Sequence, residues 1–216
     1  MYDLDSPYPE FAITHDAKEY IAITKTGNMN QFIFYPGALV KAEVYGPLAG
    51  CLVDRWINTY VAKMPVGIAL LKTNVADQII NNFSGSFNKY KVAKYAIGGH
   101  SLGGVAATNY IKSHLSTGLI DHLILLGSMP AKKDTLKETD IQALSLIWEL
   151  DGLATPAKVM ARSGLLNQSI TKFVLMTGAN HAQFGRYDML FGDNEATLSP
   201  QDQLQQVCDE IVKWLK

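Results

Sequence analysis

The pentapeptide Gly99-His100-Ser101-Leu102-Gly103 sets a serine between glycines two positions before and two after it, inside the longer run Gly98-Gly-His-Ser-Leu-Gly-Gly104. A serine hydroxyl is a weak nucleophile until a neighbouring base takes its proton, and it can then attack an acyl carbonyl. For that attack it must project above a sheet edge on a sharp strand-to-helix turn. The flanking residues fit. The apolar run Val92-Ala-Lys-Tyr-Ala-Ile97 predicts a strand, and Ala107, Ile111 and Leu115, four apart, predict a helix from Leu102. The plain alternative is a glycine-rich turn with Ser101 as a helix N-cap. A phosphate-binding loop is excluded, because the run has no Lys-Ser/Thr ending and no G-x-G-x-x-G register.

A nucleophilic serine needs a histidine as base and an acid to orient it, in the chain order serine, acid, histidine. Three histidines follow Ser101. His114 lies inside the helix after the motif and reads as a surface residue. His122 begins a strand, at the end away from chemistry. His181 follows the predicted strand Thr171 to Met176, where the base belongs. His100 adjoins the nucleophile and reads as a packed neighbour that faces sideways. For the acid, Asp151 follows the predicted strand ending at Trp148, with Gly152 to allow a tight turn. Its rivals are Glu149, still on the strand, and Asp134 and Asp140 in the polar run from Lys132. The oxyanion needs two N–H donors. Leu102 is the first, and Ala38, then Gly37, are the candidates for the second, because Pro36 has no N–H. Tyr35, His100 and Phe184 are candidates for contact with substrate. Phe34 and Tyr187 lie near strand ends as well, as pocket wall or as core.

These residues need a frame, and the chain supplies an alternation of short apolar runs and helical patterns. Strands are expected at Tyr20 to Thr24, Gln31 to Tyr35, Val66 to Leu71, Val92 to Ile97, His122 to Leu126, Ala143 to Trp148 and Thr171 to Met176. Helices are expected from about Pro47 to Ala62, where Leu48, Leu52 and Trp56 are four apart, and at Val75 to Asn82. Others are expected from Leu102 to about Leu115, from Pro156 to about Arg162, and from Pro200 to Leu215. Alternation of this kind predicts an α/β fold with a mostly parallel central sheet and helices on both faces. The first strand, with no crossover helix after it, is expected to pair antiparallel with the second through the turn at Gly27. Residues 1–216 read as a single domain, with 1–19 an irregular or edge segment.

Composition narrows the partners. Hydrophobic residues are 48% and charged residues 18%, with a formal net charge of −1, so nothing draws the chain to nucleic acid. The start, Met1 to Phe11, lacks the basic residues and apolar stretch of a signal peptide, and no apolar run is long enough to span a bilayer. Cys51 and Cys208 have neither metal spacing nor the density of a disulfide framework, and are expected as free thiols in a reducing cytosol. The expectation is therefore a cytoplasmic protein without a membrane anchor, acting on a small acyl substrate.

Five segments together resemble the α/β-hydrolase superfamily, and more narrowly its small bacterial, dienelactone-hydrolase-like members. They are Phe32-Ile-Phe-Tyr-Pro-Gly37, Gly98 to Gly104, Leu150-Asp-Gly-Leu-Ala-Thr-Pro156, Asn180-His-Ala-Gln-Phe-Gly185 and Gly192-Asp-Asn-Glu-Ala-Thr197. The resemblance implies the α/β-hydrolase fold with Ser101, Asp151 and His181 as triad, and an oxyanion hole from Leu102 and the turn at Pro36 to Ala38. It implies no metal and no organic cofactor. Many superfamily enzymes carry a helical lid after the sixth strand, whereas Gly127 to Ile141 leaves only a short loop, so little or no lid is expected. Similar proteins often carry an N-terminal membrane anchor, and none is legible here. A carboxylesterase is the expected activity. A thioesterase or acyltransferase with the same triad, and a non-catalytic ligand-binding protein, are the alternatives.

Overall fold

A computed structural model describes residues 12–67, 69–87, 95–185, 188 and 190–216. Eight strands form one sheet: β1 (His15–Asp16), β2 (Tyr20–Ile23), β3 (Asn30–Tyr35), β4 (Ile57–Ala62), β5 (Tyr95–His100), β6 (Ile120–Leu126), β7 (Gln142–Trp148) and β8 (Thr171–Met176). Their spatial order is β1-β2-β4-β3-β5-β6-β7-β8. From β4 to β8 all pairs are parallel, and β1 and β2 add an antiparallel edge. The helices are α1 (Gly46–Val53), α2 (Val75–Phe87), α3 (Leu102–His114), α4 (Pro156–Met160) and α5 (Pro200–Leu215).

Alternate side chains of one strand face opposite sides of the sheet, and here each side has its own core. Phe32, Phe34, Ile124, Leu126, Leu144, Leu146 and Trp148 pack against Leu48 and Leu52 of α1 and Val207 and Ile211 of α5. Ile33, Ile97, Leu123, Leu125 and Ala143 pack on the other side with Ile79 of α2 and Ala106, Ala107 and Ile111 of α3. Burial on both faces is what makes these strands apolar throughout. Each fully buried Leu, Ile or Phe contributes about 1.5–3 kcal/mol. The parallel sheet thereby presents the ends of β5, β7 and β8 on one side, with β6 between β5 and β7, and Ser101, Asp151 and His181 follow those three strands.

The expected doubly covered parallel sheet is present, and three local expectations are corrected. The helix expected over 47–62 stops at Val53, and Ile57–Ala62 is the buried strand β4. Trp56, which extended the four-residue spacing, is 65% exposed and has φ 74°. The run from Val66 to Leu71 is not a strand: short 3-10 turns span Pro65–Gly67 and Ala69–Leu71. The turn at Gly27 does not make a hairpin, because β2 pairs with β4 and β3 is flanked by β4 and β5. The expected strand start at Val92 lies outside the described residues, as do residues 1–11. No helix links β6 to β7. Among the described residues no helix is long and apolar enough to cross a membrane.

The cysteine expectation is also corrected. Cys51 of α1 and Cys208 of α5 form a disulfide, with Cα atoms 6.3 Å apart. The two helices lie side by side on one face of the sheet, which a separation of 157 residues conceals in the sequence. Arg55 Nη1 lies 3.1 and 3.0 Å from the two sulfurs and forms an ion pair with Asp209 at 2.9 Å. The cysteines thus no longer argue for a reducing cytosol. A bridge closing so long a loop should stabilise the fold by roughly 2–4 kcal/mol. Urea unfolding with and without dithiothreitol should show that loss in the native chain. The double variant Cys51→Ser/Cys208→Ser should unfold identically under both conditions; a native chain equally indifferent to reductant would refute the bridge.

Candidate active site

Ser101 joins β5 to α3 at φ 52°, ψ −121°, in a region where a side chain is strained. The surroundings hold it there. Its N–H donates to Leu126 O at 3.0 Å, and its carbonyl accepts from Ser128 Oγ at 2.6 Å. Glycine is required on both sides for close approach: a Cβ on Gly103 would sit 2.0 Å from Tyr35 O, and one on Gly99 would sit 2.4 Å from Gly103 C. Leu102 is the first residue of α3, so its N–H has no partner within the helix and faces the reaction centre's side of the turn.

Asp151 and His181 meet in a buried hydrogen bond, Nδ1 to Oδ2 at 2.7 Å, with both residues at most 2% exposed. The other carboxylate oxygen of Asp151 accepts from the N–H groups of Leu153 at 2.8 Å and Ala154 at 2.6 Å. The carboxylate is thus aimed before any histidine arrives. With Nδ1 donating to the carboxylate, the lone pair of a neutral His181 lies on Nε2, which is buried and bonds to no described residue. Ser101 makes no hydrogen bond to that nitrogen in this arrangement. Such bonds are often open before substrate binds. The His181 ring packs with its centroid 4.4 Å from that of His100, the residue before Ser101, so this imidazole lies near the turn at Ser101. Of the rival residues, Glu149 accepts from Gly178 N at 2.8 Å, and Asp134 accepts from Asn109 Nδ2 at 3.2 Å. His114 bonds Tyr110 O and His122 bonds Asp121.

The second oxyanion donor is narrowed by a polar chain. Gly37 N–H donates to Tyr45 Oη at 2.9 Å, and that hydroxyl is 3.0 Å from His100 Nδ1. The Gly37 amide is therefore occupied, whereas the amide of exposed Ala38 makes no backbone hydrogen bond among the described residues. The three expected substrate contacts are elsewhere. Tyr35 is buried in the core with its hydroxyl on Thr73 O, and Phe184 is buried against Tyr45, His100 and Trp148. His100 is fully buried. None of them lines the open cleft of about 510 Å³ above Ser101. It is lined by Ser101, Leu102 and Val105, by Gly127 to Met129, by Leu153 and Ala154, and by residues in and just after α4. Tyr187 lies outside the described residues, and Phe34 is core. Among the described residues no cluster of three His, Cys, Asp or Glu side chains could hold a metal ion.

Sequence reasoning missed Asp193. Its Oδ1 accepts from Gly152 N at 3.1 Å and His181 N at 3.3 Å, and its Oδ2 accepts from Ala182 N at 3.2 Å. One carboxylate thereby ties the loop of the acid to the loop of the base. Asn194 reinforces the tie: its Nδ2 donates to Leu150 O at 3.0 Å, and its carbonyl accepts from Asn180 Nδ2 at 2.8 Å. The only signal in the sequence was an acidic residue after a glycine in the segment Gly192 to Thr197, with nothing to show that backbone amides were its partners.

Two measurements follow from this geometry. Asp193→Ala should lower kcat on an ester by about 10- to 100-fold with KM little changed, because it misplaces the base without touching the cleft; an unchanged kcat would remove Asp193 from the positioning role. The second concerns His100. Burial, and then the neighbouring His181, hold its pKa well below the ordinary 6.5, with a backbone hydrogen bond to His181 opposing in part. In the unfolded chain this imidazole gains a proton below about pH 6.5, while the folded one stays neutral. Stability should therefore fall as pH drops below that point, by up to about 1.4 kcal/mol per pH unit from this group. Unfolding of His100→Gln across roughly pH 7 to 5 should show a shallower slope than the native chain; parallel slopes would contradict a neutral buried His100.

Comparison with known proteins agrees with this architecture. The profile of the alpha/beta hydrolase family matches residues 31–205. No protein of curated function matches the chain in sequence. Among solved structures it is similar to a predicted CIB-like hydrolase from Thermoplasma acidophilum, with 15% identity over 90% of this chain and 91% of that one and a TM-score of 0.61. That likeness is one of fold. With the family profile spanning the sheet from β3 to α5, the chain belongs to the alpha/beta hydrolase family.

Proposed function

We propose that the protein is a serine hydrolase of carboxylic esters, working through Ser101, His181 and Asp151. The observation that carries the reading is the buried Asp151–His181 bond, which leaves Nε2 of the imidazole without a partner beside a strained serine. Ser101 Oγ attacks the acyl carbonyl as His181 Nε2 takes its proton. The carbonyl oxygen becomes an oxyanion and receives the N–H groups of Leu102 and Ala38. Collapse breaks the bond to the alcohol, which leaves with the proton held by His181. Water then loses a proton to His181 and attacks the acyl-serine. The second collapse releases the acid and returns the proton to Oγ. Asp151 holds the tautomer and offsets the imidazolium charge throughout.

The short link between β6 and β7 supports a cleft without a lid, and so short soluble esters rather than lipid aggregates. An intact acid–base pair speaks against a purely ligand-binding role. A fluorophosphonate probe should label Ser101, and Ser101→Ala should abolish labelling and lower kcat on p-nitrophenyl acetate by about 10³-fold or more. A folded native chain that neither labels nor turns over short esters would sink the reading. Turnover of acyl-CoA in preference to oxygen esters, or transfer to an added alcohol in preference to water, would replace it with the thioesterase or acyltransferase on the same site.

A further inference from the structure

Two cationic side chains reach the cleft from one side. Lys158 lies in α4 and Arg162 just beyond its end, and both line the cavity that holds Ser101 and Leu102. The two are four apart, and the turn stays helical between them: Ala161 has φ −61°, ψ −15°, and Arg162 N donates to Val159 O at 3.0 Å. That spacing puts both on one face.

Neither head group is matched by an acid. Lys158 Nζ donates to Leu153 O at 3.0 Å, and Arg162 Nη1 donates to Pro130 O at 3.2 Å. Both acceptors are neutral backbone carbonyls. Leu153 is itself part of the cleft wall, and Pro130 follows the wall residue Met129. Among the described residues neither cation forms an ion pair, whereas Arg55, Lys63, Lys72, Lys172 and Lys213 all do. Among the described residues no Asp or Glu lines the cleft. In a chain of net charge −1, the cleft at Ser101 thus carries two positive charges that no acid among the described residues compensates. A guanidinium has five donors in a planar fork and an ammonium three, so one carbonyl each leaves most of them for a ligand. The carbonyls steady the two side chains without neutralising them.

We infer that the natural substrate carries an anionic oxygen group, carboxylate or phosphate, and that Lys158 and Arg162 bind it while Ser101 attacks the acyl carbonyl. This rests on the hydrolase reading above and adds the substrate class to it. The anion lies on whichever part of the ester runs along α4, and electrostatic attraction raises its capture from water.

The test compares p-nitrophenyl butyrate with p-nitrophenyl monoglutarate, which has an acyl-side carboxylate. It also compares phenyl acetate with 4-acetoxybenzoate, which has an alcohol-side carboxylate, and with 4-acetoxyphenyl phosphate, which carries a phosphate there. At low ionic strength kcat/KM for at least one anionic ester should exceed that of its neutral counterpart by roughly 10-fold. Which one identifies the anion and the side. Lys158→Met/Arg162→Met should bring that ratio close to one, and concentrated salt should shrink it in the native chain. Lys137→Met, in the loop between β6 and β7 and away from the cleft, should leave the ratio as it was. Turnover of the neutral esters with no anionic ester preferred, or a preference that survives the double variant, would overturn the inference and leave the hydrolase intact. No turnover of any ester and no fluorophosphonate labelling would overturn both.

Discussion

A serine at φ 52° persists only where the chain around it allows nothing else, and this constraint organises the molecule. The strand before it must be fixed, and β5 is, between β3 and β6 with every residue buried. The helix after it must come within touching distance of the neighbouring strand, and Gly103 does, where any Cβ would collide with Tyr35 O. The strain is repaid by the two cores that clamp the sheet from both faces. Since β3, which carries the Pro36 to Ala38 turn, is the strand Gly103 leans on, the same contact sets the distance between the two candidate oxyanion amides.

From that elbow a continuous polar path runs through the site. Gly37 bonds Tyr45, Tyr45 bonds His100, His100 packs on His181, and His181 bonds Asp151. Asp193 then closes the far end by holding the acid and base loops together. Apart from the Gly37–Tyr45 bond, which stays within the connection after β3, each link joins residues from the ends of different strands. The parallel sheet brings those strand ends together, and the buried hydrogen bonds fix the side chains on them. The amides that donate to Asp151 and those that donate to Asp193 fix the two loops, and the Asp151–His181 bond then orients the imidazole.

The sequence was most legible where a local pattern coincided with a local cause. β8 and α5 run as expected, the latter because Ser199 caps its first turn, accepting from Asp202 N at 3.1 Å, and Pro200 opens it. Ser101 is singled out by the glycine-flanked motif and Asp151 and His181 by their positions after predicted strands, and the fold places the three after β5, β7 and β8 of one parallel sheet. The failures have a common physical origin in long-range pairing. β4 reads as a helix because Trp56 continues the spacing of Leu48 and Leu52, and its polar Asn58 hides a strand. That asparagine is buried only because Lys25 N donates to it at 2.8 Å. The Gly27 turn cannot reveal that β4 inserts between β2 and β3. The Cys51–Cys208 bridge depends on a partner 157 residues away, and the contacts of Asp193 on backbone amides 11 to 41 residues away that no residue type announces.

The last step concerns charge. In the proposed mechanism His181 becomes an imidazolium while its ring lies 4.4 Å from a second imidazole. A charged His100 there would oppose that step by like-charge repulsion at close range in a poorly solvated site. Burial removes the conflict: it keeps His100 neutral, so the developing charge on His181 faces the Asp151 carboxylate and an uncharged ring. The hydroxyl of Tyr45 completes the arrangement. It takes the Gly37 amide as acceptor and so has its proton to offer to Nδ1 of His100, which suits a neutral imidazole and penalises a protonated one. Among the described residues the positive charge at the site thus lies on the cleft lining, at Lys158 and Arg162, where in the proposed reading it acts on a ligand. The site separates the cations that would recruit a substrate from the one cation its chemistry must create.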